Sequence, residues 1–255
     1  MPALLEVIRH ICLSFPDAEE VPSRGSPDFR IHNKTFATFV VNHHGDQRVA
    51  LWIPASPETQ QVYVNSAPDI FFVPPYVGTR GWYGVELNKG LRWHRVAELL
   101  CDAYMSIAPA GLAHLAQPPR DIPEPDTVAL ADLDPLYAPH NQALLATLRT
   151  HCFGFPEVVE ADQFGAPCFR AGKKTFATFN VSANRTALSI WVGVERQTSL
   201  TLDPRYRIPP YSGHNGWIDL DITERQDWTE IAALLEESYR HFALKRMLKG
   251  LEDNG

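Results

Sequence analysis

The sequence predicts an α+β protein made by tandem duplication of one two-layer domain, each copy ordered α-β(3)-α-β(2)-α. Three observations carry this: an internal repeat along the whole chain, a change between helical and strand spacing inside each copy, and a proline-rich acidic stretch between the copies. The repeat is the strongest of them. Phe15-Pro16 recurs as Phe155-Pro156, and Pro27, Phe29 and Arg30 recur as Pro167, Phe169 and Arg170. Lys34 to Phe39, reading Lys-Thr-Phe-Ala-Thr-Phe, recurs unchanged as Lys174 to Phe179. Trp52 aligns with Trp191 across a loop one residue shorter. Pro74-Pro75-Tyr76, Gly81-Trp82, Trp93, Leu99-Leu100 and Tyr104 then align with Pro209-Pro210-Tyr211, Gly216-Trp217, Trp228, Leu234-Leu235 and Tyr239. The expected organisation is copy one over residues 1–116, a linker over 117–143 and copy two over 144–255.

Each copy opens with a helix, because Leu4, Leu5, Ile8, Ile11 and Cys12 fall on one helical face. Phe15-Pro16 ends it, since the residue before proline is pushed out of the α region. Phe29 to Ile31 and Thr35 to Val41 read as a hairpin turning at His32-Asn33, with Ala171-Gly172 at the turn of copy two. Val49 to Ile53 is a third strand. Pro57 to Ser66 is a short helix with proline near its start. Ile70 to Val73 and Trp82 to Leu87 are two further strands. From Arg92 to Ile107 the apolar stripe Trp93, Val96, Ala97, Leu100, Ala103, Tyr104 and Ile107 marks the closing helix. Its partner uses Trp228, Ile231, Ala232, Leu235, Tyr239 and Phe242.

The composition is that of an ordinary globular protein, with 45% hydrophobic and 21% charged residues. No apolar run reaches the length of a membrane-spanning helix. Met1 to Arg9 lacks the pattern of a signal peptide, so the expected location is the cytoplasm, with Cys12, Cys101, Cys152 and Cys168 reduced. The net charge of −7 is concentrated in residues 119–143, which carry −4, while residues 1–118 carry −2 and 144–255 carry −1. A basic face typical of nucleic-acid binders is therefore absent from the totals. No cysteine pair or histidine spacing points to a metal, no cofactor motif is present, and no nucleophile elbow, HExxH or phosphate-cradling glycine loop is found.

Two constellations are candidates for binding. Tyr76, Arg80 and Trp82, with Tyr211 and Trp217 in copy two, place aromatic walls around a loop as small-molecule sites do. They equally suit a structured connection whose aromatics cap the core. Arg30 and Lys34, with Arg170, Lys173 and Lys174 in copy two, place cations on a hairpin where they can meet phosphate. Charge at such an edge also blocks aggregation. His43-His44 lies in a strand loop, opposite Ala183-Asn184 in copy two. Glu86, Asp219 and Asp221 lie on the last strands without forming an evident catalytic pair.

The Phe-Pro after the first helix, the Lys-Thr-Phe-Ala-Thr-Phe strand, the Pro-Pro-Tyr loop, the tryptophan opening the last strand and the closing helix together resemble the YjbR/MmcQ family of small bacterial proteins. The resemblance covers nearly all of each copy. It implies a compact two-layer α+β domain and the binding of DNA, by which the family is often described; the missing catalytic motifs make the expected role non-enzymatic. Relatives associated with drug resistance imply a second possibility, the binding or sequestering of a small molecule. A protein-interaction module is the third. The loop before the last-strand tryptophan departs from the Met-Asn-Lys-like stretch common in the family, reading Val77 to Gly81 and Ser212 to Gly216.

Overall fold

The computed structural model describes residues 3–23, 26–182 and 185–253. The chain divides into two compact units, residues 1–134 and 135–255. The first contains α1 (Leu4–Cys12), β1 (Glu19–Ser23), β2 (Ser26–Ile31), β3 (Lys34–Val41), β4 (Val49–Ile53), α2 (Pro57–Ser66), β5 (Phe71–Phe72), β6 (Tyr83–Glu86) and α3 (Trp93–Ile107), then the short α4 (Ala110–Ala113) and α5 (Leu130–Leu133). The second contains α6 (Pro139–Cys152), β7 (Val158–Gln163), β8 (Ala166–Ala171), β9 (Lys174–Ser182), β10 (Arg185–Trp191), α7 (Val194–Leu200), β11 (Tyr206–Arg207), β12 (Trp217–Asp221), α8 (Trp228–Phe242) and α9 (Lys245–Asp253).

Each unit is a six-stranded antiparallel sheet, ordered β1-β2-β3-β4-β6-β5 in the first and β11-β12-β10-β9-β8-β7 in the second. Each copy thus has one more strand than its spacing predicts. The added strand, β1 or β7, lies at the sheet edge. It reads Glu-Glu-Val-Pro-Ser in copy one and has no buried residue, so it carries no alternation to detect. Proline is tolerated there because an edge strand has free donors to spare.

The unchanged hexapeptide has a geometric cause. In both copies β2/β3 and β8/β9 shift register after Phe29 and Phe169, leaving Phe36 and Phe176 as the extra residue of a bulge. A bulge breaks strict alternation, so the consecutive residues Phe36 and Ala37 both enter the core. Phe36 meets Phe15 and Tyr104 edge-on, at ring-centre distances of 5.9 and 5.4 Å. Phe176 repeats these contacts with Phe155 and Tyr239. The Tyr104 hydroxyl donates to the Pro16 carbonyl at 2.6 Å, and Tyr239 to Pro156 at 2.8 Å. This contact accounts for the recurrence of Phe-Pro with a tyrosine some ninety residues later. A second repeated contact, silent in the sequence reading, joins α1 to β1: Arg9 makes a forked pair with Glu20, and Arg149 with Glu160.

Strand register corrects one repeat assignment. Thr38 pairs with Trp52, whereas Thr178 pairs with Ser189. Trp52 is therefore equivalent to Ser189, and Trp191 stands where copy one has Pro54. The hairpin between these strands is three residues shorter in copy two, not one. The shared tryptophan letter concealed this shift. Likewise the hairpin tip of copy two is Gly172-Lys173, because Ala171 pairs with Lys174 inside the ladder. Gly172 has φ +64, the conformation a II′ turn asks of its first central residue.

The segment expected as a linker divides. Ile122, Val128, Leu130 and Leu133 pack against the first core, and His10 and His94 hydrogen-bond the Asp121 and Arg120 carbonyls. Residues from Pro139 onward already belong to α6, which takes proline at its first turn. Among the described residues no helix is long and apolar enough to cross a membrane.

Candidate functional site

The helices cover one face of each sheet, so function is sought on the other face and at the sheet ends. In β4, Val-Ala-Leu-Trp-Ile is apolar throughout and buried throughout, as a strand covered on both faces must be. Val49, Leu51 and Ile53 enter the main core, while Val40, Ala50, Trp52 and Phe72 form a second cluster with Val77 and Trp82 on the opposite face. Gly84 makes room for it, since a Cβ there would stand 2.2 Å from the Phe72 ring. The Arg48 guanidinium lies 4.2 Å over the same ring. His43 meets Trp52 edge-on at 4.8 Å and lies tilted against His44 at 4.1 Å, with Tyr76 about 6 Å from both histidines.

Copy two has a polar version of this face. By register Val40, Trp52, Gly84 and Phe72 become Asn180, Ser189, Asp219 and Arg207. Asn180 donates to Ser189, whose hydroxyl donates to Asp219. Ala183-Asn184, the counterpart of His43-His44, lies outside the described residues. The carboxylates on the last strands are engaged in pairs: Glu86 with Arg48 at 3.5 Å and, at the equivalent position, Asp221 with Arg185 at 3.0 Å.

The aromatics of copy two gather elsewhere, at the end of the sheet where β9 begins and α8 finishes. Trp191 stacks on His241 with 3.4 Å between ring centres, its indole N–H donating to the Asn215 carbonyl. Phe242 meets Trp191 edge-on at 6.2 Å and stacks on Trp217 at 5.8 Å. His241 is exposed, and Trp191, Phe242 and Trp217 are half-buried. Immediately after them in the chain, Leu244 lies against the hairpin tip, 3.4 Å from where a Gly172 Cβ would be. Exposed Lys173 and Lys245 flank that contact, with exposed Lys174 beside it. No ion pair among the described residues involves these three lysines. In copy one the corresponding residues are Pro54, Ser106, Ile107 and Trp82, and no such row forms.

The sequence-derived candidates therefore separate. Tyr76 and Trp82 do not enclose a cleft with Arg80: Trp82 packs on the second cluster, Tyr76 is 71% exposed above His43 and His44, and Arg80 is exposed. Tyr211 is 87% exposed, and Trp217 joins the aromatic row. Arg30 is held by Asp28 at 2.7 Å, and Arg170 is half-buried. Lys34, Lys173 and Lys174 are exposed, and the last two adjoin Gly172, which meets Leu244 two residues after Phe242. His241 carries no repeat signal, since its copy-one equivalent is Ser106, and Trp191 was matched to Trp52, which hid its separate role. Gln60 and Gln197 escaped the sequence reading as well. Each side-chain amide ties the loop together, donating to the Gly78 and Trp82 carbonyls or to those of Gly213 and Trp217.

Burial raises the thiols of Cys12, Cys101 and Cys152 above the ordinary cysteine range, which keeps them unreactive. Among the described residues no three His, Cys, Asp or Glu side chains gather to hold a metal.

These features define a tandem α+β protein with helices on one sheet face and two copies that differ on the other. The YjbR family model matches residues 13–106 and 153–241, well over half of the chain. The chain belongs to the YjbR family and carries its domain twice. A crystal structure of a Deinococcus radiodurans protein, with a domain named DUF419, is similar at 16% identity and a TM-score of 0.39, covering 49% of this chain and 96% of that one. No curated protein matches the sequence.

Proposed function

We propose that the chain is a non-catalytic DNA-binding protein that engages exposed bases and phosphates through its second copy. The observation that carries this reading is the row Trp191, His241, Phe242 and Trp217, followed two residues on by Leu244 against Gly172, the contact whose chain neighbours are Lys173, Lys174 and Lys245. Aromatic rings beside a cationic track are what single-stranded nucleic acid requires, because every base offers a π-face and every linkage a charge. The neutral overall balance of each copy is compatible with this, since the cations are local rather than spread over the surface. The buried thiols and the arginine-paired Glu86 and Asp221 support a role without catalysis.

Fluorescence anisotropy with a roughly 12-nucleotide single strand tests it, each stacked base being worth about 1–3 kcal/mol. With three lysine contacts, affinity falls about 100-fold over a tenfold rise in salt. Trp191→Leu weakens binding at every salt concentration, whereas Lys173→Glu with Lys174→Glu also flattens the salt dependence. Lys34→Glu in copy one leaves both unchanged. Absence of binding at low salt, or equal loss from the Lys34 variant, overturns the assignment to copy two.

A further inference from the structure

The aromatic cluster on the open face of copy one contains polar atoms with no structural use. Trp52 is 7% exposed, and its indole Nε1 is fully buried without a hydrogen-bond partner. The Nε2 of His43, whose ring lies edge-on against Trp52, is buried in the same state. A buried donor left unpaired costs about 1–3 kcal/mol, so each such atom calls for a reason. At the position of Trp52 copy two has Ser189, fully bonded to Asn180 and Asp219; a buried unpaired atom of copy two on this face, Arg185 Nη2, belongs to a side chain already paired with Asp221.

The cover over these atoms is strained as well. Tyr76 has φ +63, and the Val77 amide donates to the Pro75 carbonyl across it at 2.7 Å, closing a three-residue turn. That turn is rare and strained for a residue other than glycine. His44, at φ +54, is also left-handed. Tyr211, the equivalent of Tyr76, does not have a positive φ. Strain of about 1–3 kcal/mol persists only where the surroundings hold it, and it concentrates at ligand clamps. Here it holds an exposed phenol over two imidazoles above the indole.

We infer that copy one binds a small, planar, uncharged ring bearing a carbonyl, which enters beneath Tyr76, accepts from the Trp52 indole N–H and bonds the Nε2 of His43. The ring walls, Tyr76, His44 and Trp52, favour a flat aromatic body. The donor selects a carbonyl, because indole donates and never accepts. Burial, followed by the nearby His44, holds His43 below the usual histidine range. Its neutral ring then offers one donor and one acceptor, and a lactam, carrying both C=O and N–H, satisfies either. Arg48 is already stacked on Phe72 and paired with Glu86, which leaves a formal anion no dedicated partner. This site is independent of the DNA reading, being in the other copy.

The test uses the full chain with tryptophan side chains labelled with nitrogen-15 and quinolin-2-one as probe. Naphthalene, of similar shape without the carbonyl, is the control. The Trp52 indole signal, identified by its loss in Trp52→Phe, is expected to move and saturate with quinolin-2-one and not with naphthalene. Loss of the donor weakens binding at least about tenfold, read for Trp52→Phe by saturation transfer to the probe. Tyr76→Ala, at an exposed position, keeps the fold and also weakens binding. Trp191→Leu leaves it unchanged. A Trp52 signal that stays still, equal response to naphthalene, or undiminished binding by Trp52→Phe overturns the inference.

Discussion

Gly84 illustrates how one residue sets the character of a whole face. Without a Cβ it allows Phe72 to lie across β6, and the aromatic layer of copy one is built on that contact. Its equivalent is Asp219, and there the neighbouring position is Arg207 rather than phenylalanine. Adding a methyl at Gly84 drives it into the ring. Gly84→Ala is therefore expected to lower stability by about 1–3 kcal/mol, the usual cost of overpacking. Gly→Ala at Gly90, where a Cβ meets nothing within 4 Å but φ is +78, separates steric clash from backbone strain. Thermal unfolding of the two variants measures the difference, and a silent Gly84→Ala would mean that Phe72 moves aside freely. The letter Gly84 says none of this in the sequence, because its meaning depends on a side chain twelve residues earlier and on a different strand.

Among elements, the contrast between β4 and β10 rests on one position. Val-Ala-Leu-Trp-Ile is apolar and buried on both faces, while Thr-Ala-Leu-Ser-Ile puts the half-buried Ser189 where β4 has Trp52. Period-two alternation reads out one covered face, and its absence reads out two. The edge strand β1 was not legible, for the same reason: it has no buried face to impose a pattern. What holds β1 against α1 is the forked Arg9–Glu20 pair. Hydrogen bonding from Arg9 outweighs the opposing effect of burial and holds the Glu20 carboxyl below the ordinary carboxylate range. A carboxyl with a depressed folded-state pKa contributes stability above its unfolded value, near 4.3, and loses it as pH falls through the folded value. Glu20→Gln is thus less stable than the parent at neutral pH, with the gap closing below about pH 4. The margin is small because the pair is partly exposed and solvent-screened. Chemical denaturation at a series of pH values reads it, and a gap that persisted in acid would show that Glu20 acts through packing rather than charge.

At the scale of the molecule, each unit owns a core in which its first helix, sheet and closing helix meet. Residues 1–134 and 135–255 expressed separately are each expected to fold, judged by dispersed amide spectra and a cooperative melt, since cores of this kind are the unit of independent folding. The second unit alone should retain the DNA affinity proposed above, and the first the response to quinolin-2-one. Collapse of either unit to a broad, non-cooperative melt would show that the copies need each other. Duplication of this sort frees one copy from duties the other keeps, and the opposed polarities of the two open faces are what that freedom leaves behind.

Although α4, α5 and the C-terminal α9 escaped it, sequence alone was enough for the duplication, the α+β class, the three main helices of each copy, most of the strands and the family resemblance. These depend on local spacing and on residues the copies share, such as Phe15-Pro16, the bulged Lys34 to Phe39 strand and Tyr104. Three-dimensional contacts alone show that Trp52 and Trp191 are not equivalents, that Tyr76 covers two histidines instead of closing on Arg80, and that Trp191, His241, Phe242 and Trp217 form one row. Those facts are set by strand register and by contacts between residues far apart in the chain. A change of register by a residue or two leaves composition and repeat almost untouched, yet it moves each side chain to a new place and, for an odd step, to the other face of the sheet.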